Sequence, residues 1–188
     1  MISYLDKILE SSKEKVLSDK VVQPYLTIKS KIKDLEEPGG FIDSINKRRR
    51  AGLVSVIAES KKASPSQGLI RENYNPVLIA QSYFDNNATC MSVLTNEEFF
   101  QGSLSHLEEI KASVNIPLLR KDFIIDDYQI YESRLSGADC ILLIVAALTS
   151  SQLSEYYDLA SELGMDVLVE VHDEEETKRA LEISPQFI

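Results

Sequence analysis

The chain has 188 residues, of which 44% are hydrophobic and 27% charged, a size and balance that suit one globular domain with a sizeable core and exclude a disordered chain. Its formal net charge of −10 excludes a general nucleic-acid binder, which needs a basic face.

The chain opens on MISYLDKILESSKEK, a charged amphipathic stretch with Ile2, Leu5, Ile8 and Leu9 at helical spacing. It lacks the apolar centre of a signal peptide. A second helix is predicted in PYLTIKSKIKDLEE, on Leu26, Ile28, Ile32 and Leu35, and it stops at Pro38-Gly39-Gly40. A third, FIDSINKRRR, ends in Lys47-Arg48-Arg49-Arg50, where cations oppose the negative pole of the helix dipole. That basic run reads as a solvated helix end.

From there the pattern alternates. LVSVIAES, CMSVLT, IPLLRKDF, DCILLIVAAL and DVLVEVH read as strands. The helices between and after them carry their own start and stop signals: Asn75 before Pro76, Asp126 with Gln129 three later and Gly137 at the end, Thr149 with Gln152 and Gly164, and an acidic first turn beginning at Asp173. QFI reads as the opening of a sixth strand. Cys90 and Cys140 each begin an apolar strand, make no zinc spacing, and read as buried reduced thiols in a cytoplasmic protein. No run approaches the ~20 apolar residues of a membrane span.

Apolar residues at consecutive strand positions imply strands buried on both faces of a parallel sheet, joined by right-handed crossovers. The first turn, KKASPSQG, has no G-x-G-x-x-G, so a (β/α)8 TIM barrel is preferred to a doubly wound dinucleotide fold. The expected division is a helical extension over residues 1–50 and a partial barrel over 51–188, holding five βα units and the start of a sixth strand. A barrel needs eight units and typically about 250 residues. The sequence is therefore expected to be a fragment or a prematurely terminated copy of a longer barrel.

Residues i and i+2 of a strand share a face, so Glu59 and Lys61 project together at the C-terminal end of the first strand. Lys121 ends the third strand and Glu170 the fifth. Barrel active sites lie at that end, and unpaired buried charge is costly, so these four are expected to converge on one mouth and act there. Arg120 should point the other way, into a surface or interlayer ion pair. His106 reads as a solvated helix residue, and His172 as a local cap of the acidic helix that follows it. With no Ser-His-Asp order, metal cluster or cofactor signature, the chemistry left is proton transfer on a small anionic substrate. A Schiff base on Lys121 stays open.

Five stretches, IAESKKASPSQGLI, SVLTNEEFFQGS, PLLRKDFIIDDYQIYESRLSGAD, ILLIVAAL and LVEVHDEEE, strongly resemble the indole-3-glycerol phosphate synthase family of tryptophan biosynthesis, in register from about Leu53 to Ile188. The N-terminal helices resemble that family's extra helices before the barrel. The resemblance implies a carboxy-lyase that closes 1-(2-carboxyphenylamino)-1-deoxyribulose 5-phosphate to indole-3-glycerol phosphate, CO2 and water, without cofactor or metal. It implies that Lys121 is the general acid at the sugar carbonyl and that Glu170 and Glu59 handle later proton transfers. Lys61, also catalytic, would hold the substrate's anionic groups and supply a proton on dehydration, Ser64 and Ser66 would lie in the substrate loop, and Phe100 and Phe123 would line the anthranilate pocket. The family's later N-R-D-L, Glu-Ser-Gly and Gly-Ser segments, which hold substrate and phosphate, have no counterpart here, so the chain alone is expected to show no measurable turnover. The implied partners are the phosphorylated substrate and a missing C-terminal half or a fused pathway isomerase. Two other readings stand beside this one: an inactive remnant of the barrel, and a different sugar-phosphate lyase that uses Lys121 as a Schiff base.

Overall fold

The computed structural model describes residues 3–188. Ile2, the first apolar position of the predicted opening helix, lies outside them. In chain order the elements are α1 (Tyr4–Val22), α2 (Tyr25–Ile32), α3 (Phe41–Arg50), β1 (Ile57–Ser60), β2 (Ala63–Ser64), β3 (Gly68–Leu69), α4 (Pro76–Asp85) and β4 (Cys90–Leu94). They continue with α5 (Glu97–Phe100), α6 (Leu104–Ser113), β5 (Leu118–Lys121), α7 (Asp127–Leu135), β6 (Cys140–Ile144), α8 (Ser150–Glu162), β7 (Asp166–Glu170) and α9 (Glu174–Glu182). Strand and helix alternate along the barrel portion as the sequence implies. Several helix starts are set by the residues expected. Asn75 caps α4 ahead of Pro76, and Thr149 and Gln152 form a reciprocal capping box on α8; α9 is capped by Asp173, a residue the sequence places inside that helix. No helix among the described residues is long and apolar enough to cross a membrane.

Internal contacts divide the chain into two compact units. One comprises Pro38–Asp122 and Ser136–Cys140. Within it β1 pairs with β4 and β4 with β5, all parallel. Every residue of β4 is buried, and Cys90, Met91, Val93, Leu118 and Leu119 form the inner core. Phe41, at the start of α3, is fully buried, and the Cys90 thiol donates to its carbonyl at 3.5 Å. Both cysteines are buried thiols. The basic end of α3 is solvated as expected, with Lys47 and Arg50 paired to Asp43 on an exposed face.

At the base of this unit lies Asp139, 1% exposed. Its carboxylate accepts from Lys111 Nζ at 2.7 and 2.8 Å, from the Leu118 N–H at 2.8 Å, and from the Gly39 N–H. One buried anion thus fixes the start of β5, the helix α6 and the Pro-Gly-Gly turn before α3.

The other unit comprises the chain up to Glu37, Phe123–Leu135 and Ile141–Ile188. Here α1 and α2 are clamped onto α7. Val16, Ile28 and Tyr128 form a buried cluster, and the Tyr128 hydroxyl meets the carbonyls of Asp19 and Gln23 at 3.1 and 3.0 Å. Tyr25 donates to Asp127 at 2.6 Å, Lys20 pairs with Asp126 at 2.8 Å, and Lys29 lies over the rings of Tyr25 and Tyr131. β6 lies beside β7 in the sheet. The Val169 N–H of β7 donates to the Phe187 carbonyl at 3.0 Å, but QFI, read as the opening of a further strand, forms none in the structure.

Two expectations need correction. The first strand begins at Ile57, not Leu53. The Leu53 N–H is held by the Arg48 carbonyl at the end of α3, and the ladder starts only where the Val56 carbonyl accepts from Thr89 and Cys90. Leu53 and Val54 are exposed. Burial on both faces holds for β4 and β6 but not for β7, where Asp166, Leu168 and Glu170 alternate with buried Val167 and Val169.

Candidate active site

Parallel register places residues on a common face. Glu59 lies opposite Ser92, and Ser92 opposite Leu119; one step further along that face, Leu94 lies opposite Lys121. Glu59 and Lys121 therefore project from the same face of two different strands, and Lys61, two residues past Glu59, joins them. Glu59 Oε1 is 2.6 Å from Lys61 Nζ, and Oε2 is 3.3 Å from Lys121 Nζ. All three side chains are about one-third exposed, so the cluster sits at the edge of the core rather than within it.

Burial alone would push the Glu59 carboxyl up, but the Lys61 hydrogen bond and the fields of Lys121 and Lys61 together outweigh it and hold the group below its ordinary value. A carboxyl with a depressed folded value adds stability above its unfolded value near 4.5, and that stability is lost as pH falls through the folded value. Thermal melts of wild type and Glu59→Gln should therefore show a gap at neutral pH that closes as the pH is taken below 4.5. A gap that stays constant on acidification would show that the two lysines do not act on Glu59.

The strand end that carries Glu59 is braced from behind. The Tyr83 hydroxyl of α4 donates to the Glu59 carbonyl at 3.2 Å, and Ser60 shares a 2.7 Å hydrogen bond with Tyr74. The Ser-Pro-Ser turn, read from sequence as a loop, closes a small hairpin in which β2 pairs antiparallel with β3. Ser64 is buried there and Ser66 exposed; their hydroxyls stand 3.5 Å apart, and Ser64 Oγ accepts the Gln67 N–H. The helical turn α5, which ends in half-buried Phe100, packs against β2. Gly102 follows it so closely under β4 that a Cβ would stand 2.3 Å from the Leu94 carbonyl, which only glycine can tolerate.

Arg120 enters a buried ion pair with Asp122, two residues along its own strand end, rather than a surface or interlayer one. Its guanidinium is 3.2 Å from Asp122 Oδ2 and donates Nε–H to Thr95 Oγ1 at 3.2 Å. His106 corrects the expectation of a solvated helix residue: it is half-buried against the Tyr74 ring at 5.2 Å, its Nδ1 has no hydrogen-bond partner, and burial pushes its pKa down.

In the other unit, half-exposed Glu170 ends β7, with His172 Nε2 at 3.4 Å. His172 turns its Nδ1 and its backbone N–H to the Glu176 carboxylate, at 3.2 and 2.8 Å, while the cap expected of it is supplied by Asp173. Phe123 is half-buried, and its carbonyl accepts from Gln129 at 3.1 Å. Sequence reasoning missed Thr95, Asn96 and Asp122; the available signal was three consecutive or neighbouring polar residues just past two apolar strands. Among the described residues no group of three or more His, Cys, Asp or Glu is placed to hold a metal ion.

The chain matches the family model described as indole-3-glycerol phosphate synthase over residues 5–188. Similar proteins carry the same name. That of Dichelobacter nodosus is 46% identical over 184 residues, covering 97% of this chain and 69% of the relative. That of Chlorobium chlorochromatii is 48% identical over 181 residues, covering 96% and 70%. That of Laribacter hongkongensis is 42% identical over the 188 residues, covering 100% and 72%.

Proposed function

The chain belongs to the indole-3-glycerol phosphate synthase family, and from that membership we propose how its residues carry the ring closure of 1-(2-carboxyphenylamino)-1-deoxyribulose 5-phosphate. The observation that carries the reading is Glu59 set between Lys61 and Lys121 on one face at the C-terminal ends of parallel strands. Lys121 gives a proton to the sugar ketone oxygen as the ring carbon bearing the carboxylate attacks the ketone carbon. Loss of CO2 returns an electron pair to the ring. Loss of a proton and of the new hydroxyl, as water, leaves the indole double bond. Glu59 holds both lysine side chains in place until substrate arrives, and the substrate's own carboxylate then competes for Lys61. Glu59 and Glu170 serve the later proton transfers, Ser64 and Ser66 the substrate loop, and Phe100 and Phe123 the aromatic ring. The first 50 residues act as an extension ahead of the barrel strands, and the buried thiols suit the cytoplasm.

These 188 residues supply five parallel strands with β6 and β7 among them, whereas a closed barrel takes eight. The test is a continuous fluorescence assay for the indole product, run on the 188-residue polypeptide alone and after mixing with a polypeptide carrying the last three βα units of a relative. Product is expected after mixing and not before. Absence of product in both, with folded protein in each, would overturn the reading.

A further inference from the structure

Lys121 has two charged sequence neighbours, and both are buried. Arg120 is 4% exposed and Asp122 8%. Alternation sends their side chains to the face away from Glu59. There they close a network with the end of β4. The Thr95 hydroxyl accepts from Arg120 Nε at 3.2 Å and donates to Asp122 Oδ2 at 2.6 Å, so that its one proton is committed to the carboxylate. Asn96 Nδ2 reaches Asp122 Oδ1 at 3.4 Å. The backbone adds a further tie, from the Thr95 N–H to the Lys121 carbonyl at 3.3 Å.

The same residues reach the aromatic wall. Asn96 uses its side-chain oxygen to cap α5, accepting the Phe99 N–H at 3.0 Å, and its carbonyl accepts the Gly102 N–H at 2.9 Å. Phe100 is the last residue of that helical turn. A charge pair in a site this dry is stabilising only when its geometry and remaining hydrogen bonds are satisfied, and a buried network of this kind fixes its members in one arrangement.

We propose that Asp122, with Arg120 and Thr95, is a positioning network that fixes Lys121 against Glu59 and locks the strand end of Lys121 to the helical turn carrying Phe100. The proposal rests on Lys121 being the acid of the reaction, but its test needs no turnover. A chain that failed to make product would sink the first reading and leave this one standing.

The readout is Glu59, which the network does not touch. Labelling the glutamate side-chain carboxyl with carbon-13 gives the Glu59 titration by NMR. Asp122→Asn removes a negative charge beside Arg120; acting directly through space, that loss would lower the Glu59 midpoint. Acting through a displaced Lys121, the substitution weakens the ammonium's hold and raises it. A rise is therefore expected, and it should vanish in the Lys121→Met background, where Asp122→Asn has no lysine left to move. Thr95→Val, which keeps shape and charge and removes only the bridging hydroxyl, should raise the midpoint as well, and Thr95→Ser should restore it. Ser133→Ala, a buried hydrogen-bonded serine on α7, should leave it unchanged. A fall, no change, or a rise that persists without Lys121 would overturn the proposal. Should Asp122→Asn fail to fold, the Thr95 pair decides by the same signs.

Discussion

Lys121→Met is expected to cut ring closure by about 10²–10⁴-fold, the usual worth of a positioned proton donor, in whichever preparation makes product, alone or complemented. The protein should meanwhile keep nearly all its stability. The Lys121 side chain is 38% exposed, and its contact with Glu59 is a partly exposed pair of the kind that contributes only about 0–1 kcal/mol. Methionine retains most of the aliphatic stem, so little packing is lost. Glu59 keeps its 2.6 Å partner Lys61, and no carboxylate is stranded. Activity and stability should therefore separate: kcat collapses while the urea midpoint barely moves. If Lys121 served mainly to hold the anion, KM would rise and kcat would survive. Borohydride treatment in the presence of substrate tests the remaining alternative, because a trapped adduct on Lys121 would identify a Schiff base instead of an acid. Turnover within tenfold of wild type would remove Lys121 from the role assigned to it.

The part of this site that the sequence reveals is the part governed by strand periodicity. Glu59 and Lys61 share a face because they are two apart, and Lys121 ends the third apolar run in the same way; the 2.6 and 3.3 Å contacts follow once β1, β4 and β5 pair in parallel. The helix starts at Asn75 and Thr149 are legible for a similar reason, since each cap is satisfied within three residues of chain. What escapes is long-range. Nothing local tells that the Asp122 carboxylate meets Thr95, 27 residues away, or that His106 is turned onto Tyr74 instead of towards water. The two-residue strands flanking Pro65 are equally hidden, because a Ser-Pro-Ser-Gln-Gly stretch reads as a turn whether or not its ends pair. The extent of β1 is misjudged because Leu53 and Val54 have the composition of a strand, whereas the Leu53 N–H is already bonded to α3.

The largest expected loss of stability comes from Asp139, far from the proton chemistry. Asp139→Ala should cost about 3–5 kcal/mol, the sum expected from orphaning two buried backbone donors and leaving a cavity. Several donors converge on that carboxylate: the Lys111 ammonium at 2.7 and 2.8 Å, the Leu118 N–H at 2.8 Å, and the Gly39 N–H. Two of them are backbone groups with no means of turning elsewhere, and each buried orphan costs about 1–3 kcal/mol. Gly39 approaches so closely that a Cβ there would stand 3.1 Å from Asp139 Oδ1, which binds the Pro-Gly-Gly turn tightly to the carboxylate and leaves a cavity if it is cut back. Asp139→Asn should cost less than alanine, since one amide oxygen still accepts while the amide NH2 faces a donor. Lys111→Met should cost least, because the lysine is 38% exposed and both backbone donors keep their acceptor. Urea unfolding of the three variants checks the order. If Lys111→Met proved as damaging as Asp139→Ala, the ion pair would be the dominant interaction and the backbone hydrogen bonds incidental; a loss below about 1 kcal/mol for Asp139→Ala would mean that water replaces the carboxylate in a site it now excludes.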